Sequence, residues 1–249
     1  MKWFRTIAFA ADHDTMRMER WHCHRDDDSI LDMGVSVRMG KPMDVLSLKG
    51  LDLDEVRDYA DSLTETARRL YGSGTPLCRL KTCVCCGASL TGDETRVLTV
   101  FDVPYVRCSN CGHVLVPVQP TQERLRAVFA DSEAHSSLYV DPATLEIRLR
   151  QIVTPKLHWC LEQFATAHAG RQPASVIDVG AGGGHFLAGA ARAGLRVEGF
   201  ELSKTSRAFA AEAFGLSLCG EDFLAVGGGP VDLVTFWGLL EYVPEPASF

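Results

Sequence analysis

The stretch Val176-Ile-Asp-Val-Gly-Ala-Gly-Gly-Gly-His-Phe186 decides the fold of the second half of the chain. It begins as an apolar strand with an acid near its end, continues through alternating glycines and then takes on a helical pattern. Glycines let the backbone turn sharply and let a ligand approach the helix N-terminus closely. Because this loop lies between a strand and a helix, it predicts a nucleotide-type ligand site more strongly than a glycine pattern alone would.

The spacing of the glycines narrows the class of ligand. No Lys-Ser or Lys-Thr pair follows them, which excludes a phosphate-cradling P-loop. Gly180, Gly182 and Gly184 follow the order Gly-x-Gly-x-Gly, whereas dinucleotide-binding loops have Gly-x-Gly-x-x-Gly; Gly183 blurs this difference slightly. No pyrophosphate needs to be held if the ligand is an adenosyl sulfonium. His185 opens the helix, where we expect an exposed side chain.

Strand-like and helix-like segments alternate from residue 174 onward, which predicts a parallel sheet covered on both faces. The predicted strands span residues 175–179, 195–200, 216–219 and 231–236, and the predicted helices span 184–193 and 203–213. Glu201 ends the second strand, where a carboxylate can accept both hydroxyls of a ribose. Asp222 and Phe223 follow the third, where they can accept from an adenine amino group and lie against the base.

Taken in order, these residues resemble the class I S-adenosylmethionine-dependent methyltransferases over about residues 176–246. The Phe-Trp-Gly-Leu-Leu-Glu-Tyr-Val-Pro segment at 236–244 also fits, although the family often has histidine where Tyr242 stands. The resemblance implies a Rossmann-like doubly wound sheet with S-adenosylmethionine as cofactor. The implied cofactor-binding residues are Asp178, Gly180, Ala181, Gly182, Gly184, Phe186, Glu201, Leu202, Asp222, Phe223, Phe236 and Trp237. The family sheet has seven strands and only four are predicted here, so we expect an incomplete domain.

Two matched Cys-x-x-Cys-Gly turns, at 83–87 and 108–112, mark the first half of the chain. Two residues between thiolates let a tight turn place both sulfurs on one tetrahedral ion, and the glycine relieves the turn. Cys83, Cys86, Cys108 and Cys111 are therefore predicted to hold a structural zinc ion. A buried reduced cluster and a redox pair are the alternatives. The segment also resembles the zinc-carrying front part of some bacterial methyltransferases.

The other cysteines and His113 have weaker claims as ligands. Cys85 could replace Cys83 or Cys86 only with a poorer turn, and Cys78 is a weaker substitute still. His113 is expected to be a neighbour of the metal and not a ligand. Cys160 and Cys219 are typical of core positions.

Composition bounds the remaining possibilities. The chain has 249 residues, 46% hydrophobic and 23% charged, which fits a globular protein and excludes a mostly disordered one. No apolar run approaches the roughly 18 residues of a membrane span. Nine cysteines without an export signal favour a reducing compartment, so we expect a cytoplasmic protein. A net charge of −7 weakens the case for a nucleic-acid partner.

Four segments are predicted along the chain. They are an N-terminal region at 1–75 with a helix over 52–72, a zinc-ribbon-like segment at 76–120, a helical linker at 121–170 and the cofactor domain at 171–249. His22, Cys23 and His24 are interpreted as part of a solvated polar loop with the acids at 26–28, because neighbouring side chains do not readily converge on one ion.

Three functions follow from these patterns. The first is methyl transfer to an unidentified small-molecule or saccharide acceptor, with no assignable catalytic residue and an unknown oligomeric state. The second is an RNA methyltransferase whose zinc segment grips RNA. The third is a non-enzymatic zinc module on a degenerate methyltransferase fold.

Overall fold

The computed structural model describes residues 2–6, 16–24, 30–38, 53–131 and 140–243. The chain forms two compact units, each assembled from two separate stretches of sequence. One comprises Met1–Met43 and Leu77–Gln119, and the other comprises Asp44–Pro76 and Pro120–Phe249. No helix among the described residues combines the length and the apolar character that crossing a membrane requires.

The first unit begins with an antiparallel sheet in the order β1-β2-β3, formed by Lys2–Thr6, Met16–His24 and Ile30–Arg38. The polar loop predicted at residues 22–24 is therefore wrong, since these residues end β2. The residues of β2 from 16 to 19 alternate between apolar and polar character, which is the period of a strand, whereas the polar residues after them favour a loop. The acids at 26–28 lie outside the described residues.

The cysteine segment of the first unit is built from short strands. They are β4 (Leu77–Arg79), β5 (Thr95–Val100), β6 (Val103–Arg107), β7 (Val114–Leu115) and β8 (Val118–Pro120). Strands β5, β6 and β7 form an antiparallel sheet in that order, and β4 pairs with β8. The buried cluster of this segment is Cys83, Val106, Cys108 and Leu115.

Several helices of the second unit precede its sheet. Helix α1 (Leu53–Tyr71) confirms the helix predicted over 52–72, and α2 spans Gln122–Asp131. A longer helical run follows. It consists of a 3-10 turn (Pro142–Thr144), α3 (Leu145–Arg148), a turn of π-helix called here the π-turn (Leu149–Val153), and α4 (Thr154–Ala167). Pro155 lies in the first turn of α4, where its missing N–H is tolerated. The Thr154 hydroxyl donates to the Leu149 carbonyl across the π-turn, at 2.9 Å.

The sheet of the second unit is parallel, in the order β10-β9-β11. Its elements are β9 (Ser175–Val179), α5 (His185–Arg192), β10 (Arg196–Phe200), α6 (Lys204–Phe214), α7 (Phe223–Val226), β11 (Leu233–Thr235) and a 3-10 turn (Leu240–Tyr242). Successive residues of β9 belong to different hydrophobic clusters on the two faces of the sheet. Val176 packs with α4 and α5, and Ile177 packs with Phe200 on the other face. The predicted α/β sheet with apolar layers on both faces is thus confirmed.

Two of the four predicted strands need correction. Residues 216–219 form no strand, because Cys219 makes only an isolated parallel bridge with Phe200. The strand predicted over 231–236 is reduced to β11. The Asp232 carboxylate accepts from the Ala174 N–H at 2.8 Å and from Arg171 at 2.9 Å, and the strand begins only at the next residue.

Candidate active site and metal centre

A pocket of about 570 Å³ lies at the carboxyl ends of β9 and β10, in the second unit. This volume is within the range of roughly 300–1,000 Å³ typical of small-molecule sites. Ligands of open parallel sheets bind at this edge of the sheet, where loops following different strands converge. The glycine loop, the residues after β10 and the segment after β11 all contribute to the wall.

Two glycines of the loop have different roles, one in the pocket and one in the packing of the helices. Gly180, Gly182 and Gly184 have φ of +72°, +54° and +75°, a left-handed conformation that favours glycine. A Cβ on Gly182 would meet no described atom within 4 Å, and this residue lines the pocket. A Cβ on Gly184 would lie 3.0 Å from the Ala210 Cβ. Gly184, predicted to touch the cofactor, instead lets α5 pack closely against α6.

Glu201 connects the end of β10 to the glycine loop. One carboxylate oxygen accepts from the Gly182 N–H at 2.7 Å, and the other accepts from the Ser203 N–H at 2.7 Å. A carboxylate has about four lone-pair positions, so roughly two remain for hydroxyl groups of a ligand. The half-buried Glu201 side chain is therefore held in place before any ligand binds.

Asp178 is a buried acid in the wall of the pocket, with 2% of its surface exposed. Burial raises the pKa of Asp178 to about 7, although the Thr235 hydrogen bond and the Lys156 charge act to lower it. The Thr235 hydroxyl donates to its carboxylate at 2.7 Å. A carboxyl group with this pKa is partly protonated near neutral pH, and a cationic ligand would favour its charged form.

Lys156 and Trp237 lie side by side in the same wall. The Lys156 ammonium is 4.4 Å from the centroid of the Trp237 ring, within the range of a cation–π contact. Burial lowers the pKa of Lys156, and the charge of Asp178 acts to raise it. The Trp237 Nε1 atom is buried with no hydrogen-bond partner among the described residues.

His185 differs from its prediction. Its ring packs against Phe209 and Phe214, at centroid distances of 5.6 and 5.3 Å, so it is half-buried and not exposed. Burial lowers the pKa of His185 to about 4, with a contribution from the Arg148 charge, so the imidazole is neutral. Its Nε2 atom is buried and unpartnered among the described residues. Leaving such a group unsatisfied costs about 1–3 kcal/mol, which a polar ligand or a water would offset.

The predicted adenine residues have structural contacts as well as pocket positions. The Asp222 carboxylate accepts from the Leu224 N–H at 3.0 Å and so caps α7. The Phe223 ring packs edge-on against Phe200, with centroids 5.0 Å apart. Phe236 does not line the pocket: it is 38% exposed and borders a separate shallow groove with Trp159.

Most of the predicted cofactor-binding residues converge on the pocket. Those that line it are Asp178, Gly180, Ala181, Gly182, Phe186, Glu201, Leu202, Asp222, Phe223 and Trp237. Sequence reasoning missed Arg148 and Lys156, which enter from the helical run before β9. Lys156 lies three residues after Val153 and four before Cys160, so a lysine on an apolar helical stripe was the available signal.

The four predicted metal-ligating cysteines come together in the first unit. The sulfur atoms of Cys83, Cys86, Cys108 and Cys111 lie within 4.8 Å of one another. The Cys83–Cys111 and Cys86–Cys108 sulfur distances are 3.7 and 3.8 Å. Sulfurs bound at about 2.3 Å to a tetrahedral zinc ion stand about 3.8 Å apart, so the arrangement fits zinc.

The two cysteine turns have the same backbone structure. The Gly87 N–H donates to the Cys83 carbonyl at 2.8 Å, and the Gly112 N–H donates to the Cys108 carbonyl at 2.9 Å. Gly87 and Gly112 have φ of +70° and +77°, which explains why glycine follows each second cysteine.

Four further cysteines whose side chains the structure describes, and His113, lie outside this cluster. Cys78 and Cys85 are exposed, Cys160 is buried in the second unit and Cys219 is half-buried there. His113 is exposed, and its carbonyl accepts from the Cys108 N–H at 2.8 Å.

Comparison with known proteins gives one family match and several similar structures. Residues 155–249 match the family model of a methyltransferase domain. Magnesium protoporphyrin IX methyltransferase from Synechocystis PCC 6803 with bound S-adenosylmethionine has 19% identity and a TM-score of 0.37, over 50% of this chain and 65% of that one. The same enzyme with bound S-adenosylhomocysteine has 20% identity and a TM-score of 0.34, over 47% and 57%. The chain thus spans about three fifths of these structures, and no curated protein sequence matches it.

Proposed function

We propose that this chain, whose residues 155–249 match the model of a methyltransferase domain, is a class I enzyme that transfers a methyl group from S-adenosylmethionine to a small-molecule acceptor. One observation carries the proposal: Asp178, the glycine loop, Glu201 and Asp222 line a single pocket at the carboxyl edge of a parallel sheet. These groups come from three successive parts of the fold, so their meeting depends on the whole domain.

The chemistry of the donors fits the proposed cofactor. When bound, S-adenosylmethionine supplies a methyl group on a sulfonium leaving group. The free lone pairs of Glu201 suit ribose hydroxyls, and Gly182 leaves open space for close approach of a ligand to the backbone. Asp222 and Phe223 suit an adenine base, and Asp178 suits a cationic group.

The proposed mechanism uses positioning more than proton transfer. An acceptor that is already nucleophilic needs only to be aligned with the methyl group and shielded from water. The lining residues Phe186, Leu202, Phe223 and Trp237 provide apolar surface for that purpose. We assign no general base.

Titration calorimetry with S-adenosylmethionine and S-adenosylhomocysteine tests the proposal. We expect both to bind with one site per chain, and the Gly182→Val variant to bind neither. Absence of heat with either ligand in a sample whose folding is verified by circular dichroism would favour the non-enzymatic alternative. An assay of methyl transfer to a panel of small molecules and, separately, to RNA distinguishes the two enzymatic alternatives by which acceptor is methylated.

We also propose that the four-cysteine cluster holds one structural zinc ion through Cys83, Cys86, Cys108 and Cys111. The sulfur distances near 3.8 Å support this assignment, as do the matched turns. Four thiolates close the coordination shell, so the ion would hold the segment together and would not act on a substrate. Metal analysis of protein purified under reducing conditions tests it, with one zinc per chain expected.

A further inference from the structure

Two opposite charges face the same pocket without pairing. Lys156 on α4 and Asp178 on β9 both line it, yet Lys156 makes no ion pair with any described residue. They are close enough for each charge to influence the other's pKa. A direct ion pair would satisfy both groups, so their separation leaves room for a ligand that carries both charges.

The surroundings of Lys156 are unusual for a lysine with only a packing role. It lies on the apolar stripe of the helical run, between Val153 and Cys160, both buried. Lysine usually keeps its ammonium in water, whereas here burial lowers its pKa and the Trp237 ring is its neighbour. A methionine or leucine would pack on this stripe without desolvating a charge.

We propose that Lys156 binds the carboxylate of the amino-acid part of S-adenosylmethionine, opposite Asp178, which takes the ammonium group. The assignment rests on the proposed function and adds to it a positioning residue from the helix before the sheet. A zwitterionic tail presents both charges a few ångströms apart, which matches a lysine and an aspartate that face one cavity without touching.

The cofactor suits this pair better than an acceptor does. Asp178 lies two residues before Gly180, the first glycine of the loop. The pair therefore adjoins the loop at which the cofactor is proposed to bind. An anionic acceptor would explain Lys156 but would leave the neighbouring buried Asp178 unused. Binding experiments without any acceptor therefore test the assignment directly.

The test compares S-adenosylhomocysteine with its decarboxylated analogue, which keeps the ammonium and the nucleoside but lacks the carboxylate. We expect the wild-type protein to prefer S-adenosylhomocysteine by about 10- to 100-fold, the range for a charged hydrogen-bonded pair. Lys156→Met should remove this preference by weakening S-adenosylhomocysteine alone. Lys156→Arg, which keeps the charge, should retain most of it. Lys156→Gln provides a second neutral variant, and thermal unfolding verifies each fold.

The outcomes separate this assignment from the proposed function. Equal weakening of both ligands by Lys156→Met or Lys156→Gln indicates a structural role and overturns the assignment. So does a wild-type protein that binds the two ligands equally well, in which case the cofactor proposal stands. If neither ligand binds the folded wild-type protein, the proposed function fails and the assignment fails with it.

Discussion

The cysteine cluster and the glycine-loop pocket are assembled in opposite ways. All four clustered sulfurs come from two turns of five residues, each closed by its own backbone hydrogen bond and its own glycine. The pocket draws its wall from residues between 122 and 243, on helices, strand ends and loops. A site encoded in local turns depends on few contacts, whereas a site assembled across a domain depends on the packing of every contributor.

The largest effect is expected where the local site is broken. Cys108→Ser should release the proposed zinc and unfold the cysteine segment, because structural zinc contributes about 10–16 kcal/mol of apparent binding energy to such folds. Cys85→Ser is the matched control, since Cys85 is exposed and outside the cluster. Metal content and circular dichroism measure both variants. Full zinc retention by Cys108→Ser would contradict the assignment.

In the pocket, the protonated form of Asp178 should favour folding, whereas its charged form should favour binding of a cationic ligand. Its pKa is raised from 3.8 to about 7, so between these pH values the folded state holds a proton that the unfolded state has released. The contribution of Asp178 to the free energy of unfolding is therefore largest below about pH 4. It falls as the pH rises to about 7, by roughly 4 kcal/mol at most. The groups that face it are Lys156, Cys160, Glu201 and Thr235.

Asp178→Asn should remove that fall in stability, because the amide oxygen can still accept from Thr235 and has no charge to desolvate. Urea unfolding between pH 4 and 8 measures it, and the variant should be the more stable protein at pH 8. The same variant should bind S-adenosylhomocysteine more weakly. An unchanged pH profile would show that Asp178 is solvated more than its burial suggests.

Substitution of Glu201 tests the assembled pocket at a single residue. Glu201→Gln should weaken cofactor binding by about 1–3 kcal/mol, because only one acceptor oxygen remains for the Gly182 and Ser203 N–H groups. Glu198→Gln on β10, the strand that precedes Glu201, is the control, since Glu198 is exposed and does not line the pocket. Calorimetry at constant pH compares the two; similar losses would argue against a specific role for Glu201.

The smallest effects distinguish two glycines of one loop. Gly182→Ala places a methyl group in open pocket space, so binding should fall while the stability loss stays near the 1–2 kcal/mol of a left-handed residue. Gly184→Ala adds a contact of 3.0 Å to Ala210 on top of the same conformational strain, so its loss of stability should be larger. Thermal unfolding and ligand titration of both variants separate these roles, and a reversed order would contradict the division.

Sequence reasoning succeeded where the signal was local. Strand β9 was predicted to the residue, the helices after it to within about a residue or two, and the four cysteines as a group. Each of these follows from periodicity or spacing within a short window. The α/β class followed from the alternation of such windows.

It failed where distant residues decide the outcome. Residues 216–219 have strand character, but Gly215 and Gly220 border them and Cys219 alone bridges to β10. His185 was expected in solvent because nothing local places Phe209 and Phe214 against it. Lys156 joined the pocket only through the packing of α4 on the sheet, which no spacing rule encodes.

The hydrogen bond between Glu201 and the Gly182 amide has a kinetic consequence. Because that loop amide is held before a ligand arrives, capture requires little ordering of the backbone, and little of the binding energy is lost to it. Association of the proposed cofactor, S-adenosylmethionine, should then be a single fast phase whose rate rises linearly with concentration. Differences in affinity for S-adenosylhomocysteine should then arise mainly from its dissociation rate, and substitutions at residue 201 should change the off-rate far more than the on-rate.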